Sequence, residues 1–309
     1  MFLANNSHSN PARWKLILAL ASVYFIWGST YLAILFAIET MPPFSMAAFR
    51  FILAGTILYV IARQRCGRPD RRHWFSATIV GALLLGGGNG SVVWAEQWVP
   101  SGLAALIIAI TPIWMVIIDW ISGGSPRPSK TLIAGLLWGL IGVGLLINSD
   151  HVGSQSREGL IGGIVLLMGS LAWAFGSIYA CRARLPESPW LTTAMQMLTG
   201  GAVLAVMAII AGESGQIDPT SFSMKSIISL IYLIIFGAVI GYSAYIWLLG
   251  VTTPAMAATY AYFNPLVAMF LGWLMADELI DFKIWIAMIM IISAIVLISL
   301  NSTRTQSSS

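Results

Sequence analysis

Charge is the first thing this sequence is short of. Asp, Glu, Lys and Arg make up only 9% of its 309 residues, against roughly 25% in a soluble domain, so a soluble globule is excluded. It also lacks polar length. A membrane span takes about 20 apolar residues; ten of them consume roughly 200 and leave roughly 100 for nine connections and two tails. A fused nucleotidase, kinase module or DNA-binding domain, which needs 50 or more residues, has nowhere to go. Cysteine is scarce too, and Cys66 and Cys181 set no disulfide framework. The three histidines, His8, His73 and His151, lie in tails or loops, so no metal-ligand cluster forms and nothing resembles a Ser-His-Asp arrangement. No Walker loop exists, because the Gly-rich stretch Leu85 to Ser91 is not followed by Lys and a Ser or Thr. These absences predict a non-enzymatic protein with no cofactor and no metal, driven by a gradient if it moves anything.

What is present is a series of nearly uncharged apolar runs at 14–36, 44–62, 74–95, 100–120, 130–147, 159–180, 190–211, 227–250, 254–275 and 283–300. They predict an all-α membrane protein with ten transmembrane helices. The first run is too long for a signal peptide and is followed by more spans, so it is expected to stay. With the N-terminus inside, Arg13, Lys15, Arg63, Arg65, Arg68, Arg71, Arg72, Arg127, Lys130, Arg182, Arg184 and Arg304 share the cytoplasmic face. Only Arg157, Lys225 and Lys283 fall outside. Short basic loops stay inside, so N-in/C-in is expected. The net charge of +4 is thereby an orientation signal, and no nucleic-acid surface is expected.

An internal repeat appears on shifting the chain by 153: Gly88, Trp94, Ala104, Ala105, Pro112 and Trp120 fall on Gly241, Trp247, Ala257, Ala258, Pro265 and Trp273. Upstream, Gly28-Ser29-Thr30-Tyr31 answers Gly176-Ser177-Ile178-Tyr179, and Gly55 answers Gly201, which sets Arg50 opposite Gln196. The expected units are 14–147 and 159–300, with short cytoplasmic tails at 1–13 and 301–309. Five spans is an odd number, so the second unit enters the membrane inverted. Secondary transporters recur in this build, with substrate held near the repeat interface.

Within the spans, Gly86 and Gly90, like Gly237 and Gly241, stand at i, i+4 and suit close helix packing; Asn89 is the polar residue among them that needs a partner or a wet cavity. Thr111-Pro112 and Asn264-Pro265 occupy repeat-equivalent mid-span positions. Each proline frees a backbone carbonyl at depth, which marks either a packing kink or a hinge. Trp27, Trp173 and Tyr260 sit too deep for the headgroup belt, and Tyr242 and Tyr245 share a helix face. Arg50 and Glu96 are the charges at depth. They are either an ion pair bracing the outer face or a gate and charge handle for a zwitterionic substrate. Asp119 can snorkel to water and is expected to be interfacial. One intramembrane cation disfavours a multiply charged phosphate ester, and span one offers no central carboxylate.

Ile26-Trp27-Gly28-Ser29-Thr30-Tyr31, Arg50-Phe51 with Ala54-Gly55, Gly88-Asn89-Gly90 with Ala95-Glu96, Val99-Pro100-Ser101-Gly102, Trp173-Ala174-Phe175-Gly176-Ser177 and Tyr260-Ala261-Tyr262-Phe263-Asn264-Pro265 resemble the EamA family of the drug/metabolite transporter superfamily. The resemblance covers essentially the whole chain. It implies two inverted five-helix halves around a central cavity that opens by alternating access, in a bacterial inner membrane. The cavity residues expected are Trp27, Ser29, Asn89, Thr111, Trp173, Ser177, Tyr245, Tyr260 and Asn264; Arg50 and Glu96 form the gate or ion pair, and Pro112 and Pro265 the hinges. The expectation is a monomeric secondary transporter exporting amino acids or other small metabolites. Import of a vitamin-like or aromatic solute, and a non-transporting membrane sensor or interaction protein, are the alternatives.

Overall fold

The computed structural model describes residues 12–64, 66–145, 157–276, 285–286 and 289–298. The expected tails, apart from residues 12 and 13, and part of the last expected span at 283–300 lie outside the described residues.

The described chain is helical, with no strand. Seven helices are long and apolar enough to cross a membrane: α1 (Arg13–Ile38), α2 (Pro43–Arg63), α3 (Arg71–Ala95), α4 (Ser101–Ile121), then α6 (Arg157–Arg182), α7 (Pro189–Ile210) and α8 (Met224–Val251). Between and after them lie α5 (Lys130–Leu145), α9 (Tyr260–Ala276) and the shorter apolar helix α10 (Ile289–Ile298). Large apolar side chains point outward all round the bundle, among them Ile57, Val60, Ile61, Ile209, Ile210, Ile228 and Ile231. An apolar outer surface of that extent needs hydrocarbon, not water, beside it.

Helix α2 crosses α7 at glycines. A Cβ built on Gly55 would lie 2.9 Å from Cβ of Met197, and one built on Gly201 would lie 2.8 Å from Cγ1 of Ile52. Side chains larger than hydrogen at these two positions would push the backbones apart. The two helices start alike, with Pro43 and Pro189 in the first turn, where a missing N–H costs nothing. Their caps differ. Ser188 accepts from the N–H of Leu191 at the start of α7, whereas α2 has no side-chain cap of its own. Glu213, in the turn after α7, supplies it by accepting from the N–H groups of Phe44 at 3.0 Å and Ser45 at 2.7 Å. The carboxylate thus satisfies two of the four orphan donors of a helix nearly 170 residues away in sequence.

Helices α3 and α8 each loosen midway. Ala82–Asn89 and Leu233–Tyr242 are π-helical, an uncommon geometry that collects at functional positions. The glycines expected to serve packing are in contact as that reading requires: Gly86 and Gly90 face Val203 and Leu204 of α7, and Gly237 and Gly241 face Thr30 and Trp27 of α1.

Proline acts differently in α4 and α9. Helix α4 breaks at Ala109–Ile110 and restarts with Pro112 in its first turn. Pro112 cannot donate to the carbonyl of Ile108, and the hydroxyl of Thr111 donates there instead, at 2.6 Å. In α9 the proline lies inside the helix, and the break falls earlier, at Ala258–Thr259, after the single turn Pro254–Ala257. Helices α5 and α10 pack against this pair; Trp138 donates to Ser293 at 3.0 Å and Tyr262 to the carbonyl of Leu136 at 3.0 Å.

Candidate functional site

A cavity lies among α1, α2, α3, α4, α6, α8 and α9. Of the expected cavity residues, Trp27, Asn89, Trp173, Tyr260 and Asn264 line it, and so does Arg50 of the expected gate or ion pair. Thr30, Tyr31, Phe51, Ser170 and Tyr242 join them. Its floor is aromatic. Trp27 meets Trp173 edge to face at 5.4 Å between centroids and Tyr260 at 4.8 Å. The indole N–H of Trp27 donates to the carbonyl of Gly237 at 3.2 Å and that of Trp173 to the hydroxyl of Tyr245 at 3.0 Å, so both ring planes are held.

Ser29, Thr111, Ser177 and Tyr245 do not reach the cavity. Their hydroxyls are committed elsewhere: Ser29 bonds the Tyr232 hydroxyl at 2.6 Å, Thr111 serves the proline break, and Ser177 bonds the Tyr245 hydroxyl at 2.6 Å. Tyr245 lies behind the floor, with Met115 below its hydroxyl at 3.9 Å. On that side the Tyr24 and Thr259 hydroxyls also share a bond of 2.5 Å. That end of the bundle carries Arg63, Arg71, Arg72, Arg182 and Arg184, and the cavity lies on the other side of the floor.

Thr30, Ser170 and Tyr242 are hydrogen-bonded within the protein, but Arg50, Asn89 and Asn264 carry polar atoms that the described residues leave unsatisfied. Arg50 is buried at 3% exposure, its guanidinium carbon 4.4 Å from the centre of the Phe51 ring, yet its Nε and Nη1 have no acceptor there. Oδ1 of Asn89 and Oδ1 of Asn264 likewise have no donor among the described residues. A Cβ built on Gly237 would lie 3.1 Å from Nη2 of Arg50, so the glycine makes room for the guanidinium. Unpaired polar groups in a low-dielectric interior cost several kcal/mol against hydrogen-bonded ones, of order 2–7 per group. A ligand that pairs with them recovers that cost.

Glu96 departs from one of the two expectations for it. It is buried, but among the described residues neither carboxylate oxygen has a hydrogen-bond partner and no ion pair joins it to Arg50. The ion pairs among those residues are His73–Asp70, Arg182–Asp119 and Lys225–Glu39. The bracing pair is therefore not made in this conformation: Arg50 turns to the cavity and the Phe51 ring, and Glu96 stays at the end of α3 outside the lining. Asp119, expected at an interface, is also a partner. It accepts from Nη2 of Arg182 at 2.5 Å and ties α4 to α6.

Sequence reasoning left out Tyr31, whose hydroxyl lies beside Asn264, and Glu213. Tyr31 was legible one turn after Trp27 on the same helix face; Glu213 sits in a loop whose target is remote in sequence, and nothing local signals it. Among the described residues no three His, Cys, Asp or Glu side chains gather to hold a metal.

A bundle of apolar helices with a polar, aromatic-floored cavity at mid-depth defines a multi-pass membrane protein of the solute-carrying class. The sequence pattern of the EamA-like transporter family matches residues 13–148 and again 160–300, and the chain belongs to that family. It is 38% identical over 284 residues to the Escherichia coli (strain K12) protein named "Uncharacterized inner membrane transporter YedA", covering 91% of this chain and 90% of that one. It is 24% identical over 280 residues to the "Uncharacterized transporter YoaV" of Bacillus subtilis (strain 168), covering 90% and 94%. To "Protein PecM" of Dickeya dadantii (strain 3937) it is 22% identical over 277 residues, with 88% of each chain covered. A crystal structure 19% identical in sequence superposes with a TM-score of 0.72, covering 95% of this chain and 99% of that one, and so shares the fold.

Proposed function

We propose that the protein is a secondary transporter of the bacterial inner membrane, exporting amino acids or closely related small metabolites by alternating access. The observation that carries the substrate class is the set of unpaired cavity groups: Nε and Nη1 of Arg50 with Oδ1 of Asn89 and Oδ1 of Asn264. A carboxylate answers the guanidinium in the paired geometry such groups favour. An ammonium or amide answers the two carbonyl oxygens, and the solute's body lies on Trp27, Trp173 and Tyr260. A single cation at that depth suits one carboxylate and not a doubly charged phosphate ester.

The mechanism follows from two inverted five-helix units, 14–147 and 159–300, with both termini cytoplasmic. Reciprocal contacts support it: Gly55 lies on Met197 as Gly201 lies on Ile52, and Gly88 lies on Trp173 as Gly241 lies on Trp27. The glycines correspond in the sequence repeat, Gly55 to Gly201 and Gly88 to Gly241, while Met197 and Trp173 stand one and two positions from the places that answer Ile52 and Trp27. Under that topology the cavity is on the periplasmic side of the aromatic floor, and the Tyr245 and Tyr24 contacts close the cytoplasmic side. Rocking one unit against the other transfers the site across the floor. The proposed working unit is a monomer.

The aromatic floor also suits a second solute class, a flat vitamin-like compound taken up instead of released. Counterflow of radiolabelled amino acids in proteoliposomes separates them. Exchange of amino acids supports the primary reading. Exchange of aromatic heterocycles alone moves the substrate to the second class, and no exchange across a broad panel sinks both. Comparison of medium metabolites between a deletion strain and an overproducer reads direction.

A further inference from the structure

At the arginine-rich end, outside the cavity and on the opposite side of its aromatic floor, α3 and α6 border a shallow, open concavity. It is lined by Arg71, Arg72, Arg182 and Arg184 together with Ser76 and Tyr179, and among the described residues no acidic side chain lines it. Retention of basic residues on one side of a membrane explains why these arginines are at this end. It does not explain their convergence. Arg63, Arg127 and Lys130 share the end and stay out of the concavity.

Of the four guanidinium groups, only that of Arg182 has a carboxylate of the described residues within 4 Å, that of Asp119. Like charges gathered in one concavity repel, and an anion seated among them removes the repulsion and takes hydrogen bonds from several guanidinium groups at once. Phe75, an aromatic side chain 68% exposed on the outer surface of α3, also lines the concavity. An anion with an apolar body alongside it matches that residue; a free ion leaves the ring uncovered.

We propose that this concavity is a binding site for the phosphate headgroup of an anionic membrane phospholipid, held by Arg71, Arg72 and Arg184, with its acyl chains along Phe75. Basic pockets between helices at this depth take such headgroups. The site stands apart from the solute cavity and does not depend on what that cavity carries. It shares Arg182 with the Asp119 tie, so the lipid contacts the residue that joins α4 to α6.

Native mass spectrometry of the detergent-purified full chain tests it, with phosphatidylglycerol, cardiolipin, phosphatidylcholine and inorganic phosphate as separate arms. The two anionic lipids should be retained and phosphatidylcholine should not. The triple variant Arg71→Gln, Arg72→Gln, Arg184→Gln should lose retention by about fivefold per arginine. The triple variant Arg63→Gln, Arg127→Gln, Lys130→Gln removes the same charge from the same end and should retain lipid as the parent does. Equal losses in the two variants overturn the site in favour of a diffuse charge effect. Inorganic phosphate retained as well as lipid overturns the lipid source. The single variant Arg184→Gln, which should lose about fivefold, keeps the test open should the first triple variant unfold.

Discussion

Trp27 and Trp173 meet edge to face at 85°, and each indole also covers a glycine on a π-helical stretch, Gly241 of α8 for Trp27 and Gly88 of α3 for Trp173. A Cβ built on Gly241 would lie 2.6 Å from Nε1 of Trp27, and one on Gly88 2.5 Å from Cε3 of Trp173. Neither indole can retreat freely, since each ring N–H is already bonded. Gly88→Ala and Gly241→Ala are therefore expected to displace the cavity floor. Overpacking of this kind costs about 1–3 kcal/mol, and transport should fall by tenfold or more in each variant. Thermal unfolding in detergent and counterflow check the two parts separately. An alanine variant with full activity would show that the floor tolerates displacement.

Arg50 and Glu96 are buried without each other, and that fixes how their substitutions combine. Arg50→Gln removes the proposed carboxylate receptor, and Glu96→Gln removes an acid with no cation beside it. Independent sites combine additively in free energy, within about 0.5 kcal/mol. The double variant should thus lose transport by the product of the two single losses. Initial counterflow rates of the four proteins give the cycle. A double variant no worse than Arg50→Gln would mean that the two meet in another conformation of the transport cycle. Arg50→Lys should not restore full activity, because an ammonium lacks the planar fork that pairs with a carboxylate.

The contrast between Arg50 and Thr111 shows what is legible in the amino-acid sequence. Arg50, tryptophan at mid-span and the Gly-Asn-Gly stretch point to cavity residues by composition and position, because apolar surroundings make each of them costly unless used, whereas Glu96, equally charged and buried, lies outside the lining. Small hydroxyls do not discriminate. Ser29, Thr111 and Ser177 have the same composition signal as a cavity residue, but in the structure their hydroxyls go to a tyrosine, a carbonyl freed by proline and another tyrosine. A serine in a helix always has a nearby carbonyl to bond, so its position in the sequence says little about its partner. Nor do the π-helical stretches have a sequence signature here; the glycines permit them, and packing against α1, α6 and α7 selects them.

Glu213 braces the start of α2 from the turn after α7. Its two bonds, to the N–H groups of Phe44 and Ser45, are made at 4% exposure. Glu213→Ala leaves both donors unpaired, and loss of a helix cap typically costs about 0.5–2 kcal/mol. The expected result is a lower unfolding temperature in detergent with the solute cavity intact. Glu213→Gln keeps one acceptor and should lose roughly half as much. An unchanged midpoint for the alanine variant would mean that water replaces the carboxylate without cost.

Asp119 and Arg182 join α4 to α6 at the arginine-rich end, through the 2.5 Å bond and a second from Nη1 of Arg182 to the carbonyl of Ser122 at 3.0 Å. The pair is partly solvated, with side-chain exposures of 15% and 37%, so its worth to stability is small, about 0.2–1 kcal/mol. Its worth to conformation is larger, because the two sides of a transporter differ by little free energy and a fraction of a kcal/mol shifts populations measurably. Asp119→Asn should leave the unfolding midpoint within a degree or so and open this end more often. Met115 reports it: fully buried behind the floor and beneath the Tyr245 hydroxyl, it is reachable from this end only when the end opens. With Cys66 and Cys181 replaced by serine, Met115→Cys should react with a membrane-impermeant maleimide severalfold faster in the Asp119→Asn background than with Asp119 present. The gain should appear only in vesicles that expose the arginine-rich face. Equal rates in the two backgrounds would show that the hydroxyl contacts of Tyr24 and Tyr245, not the ion pair, hold this end shut.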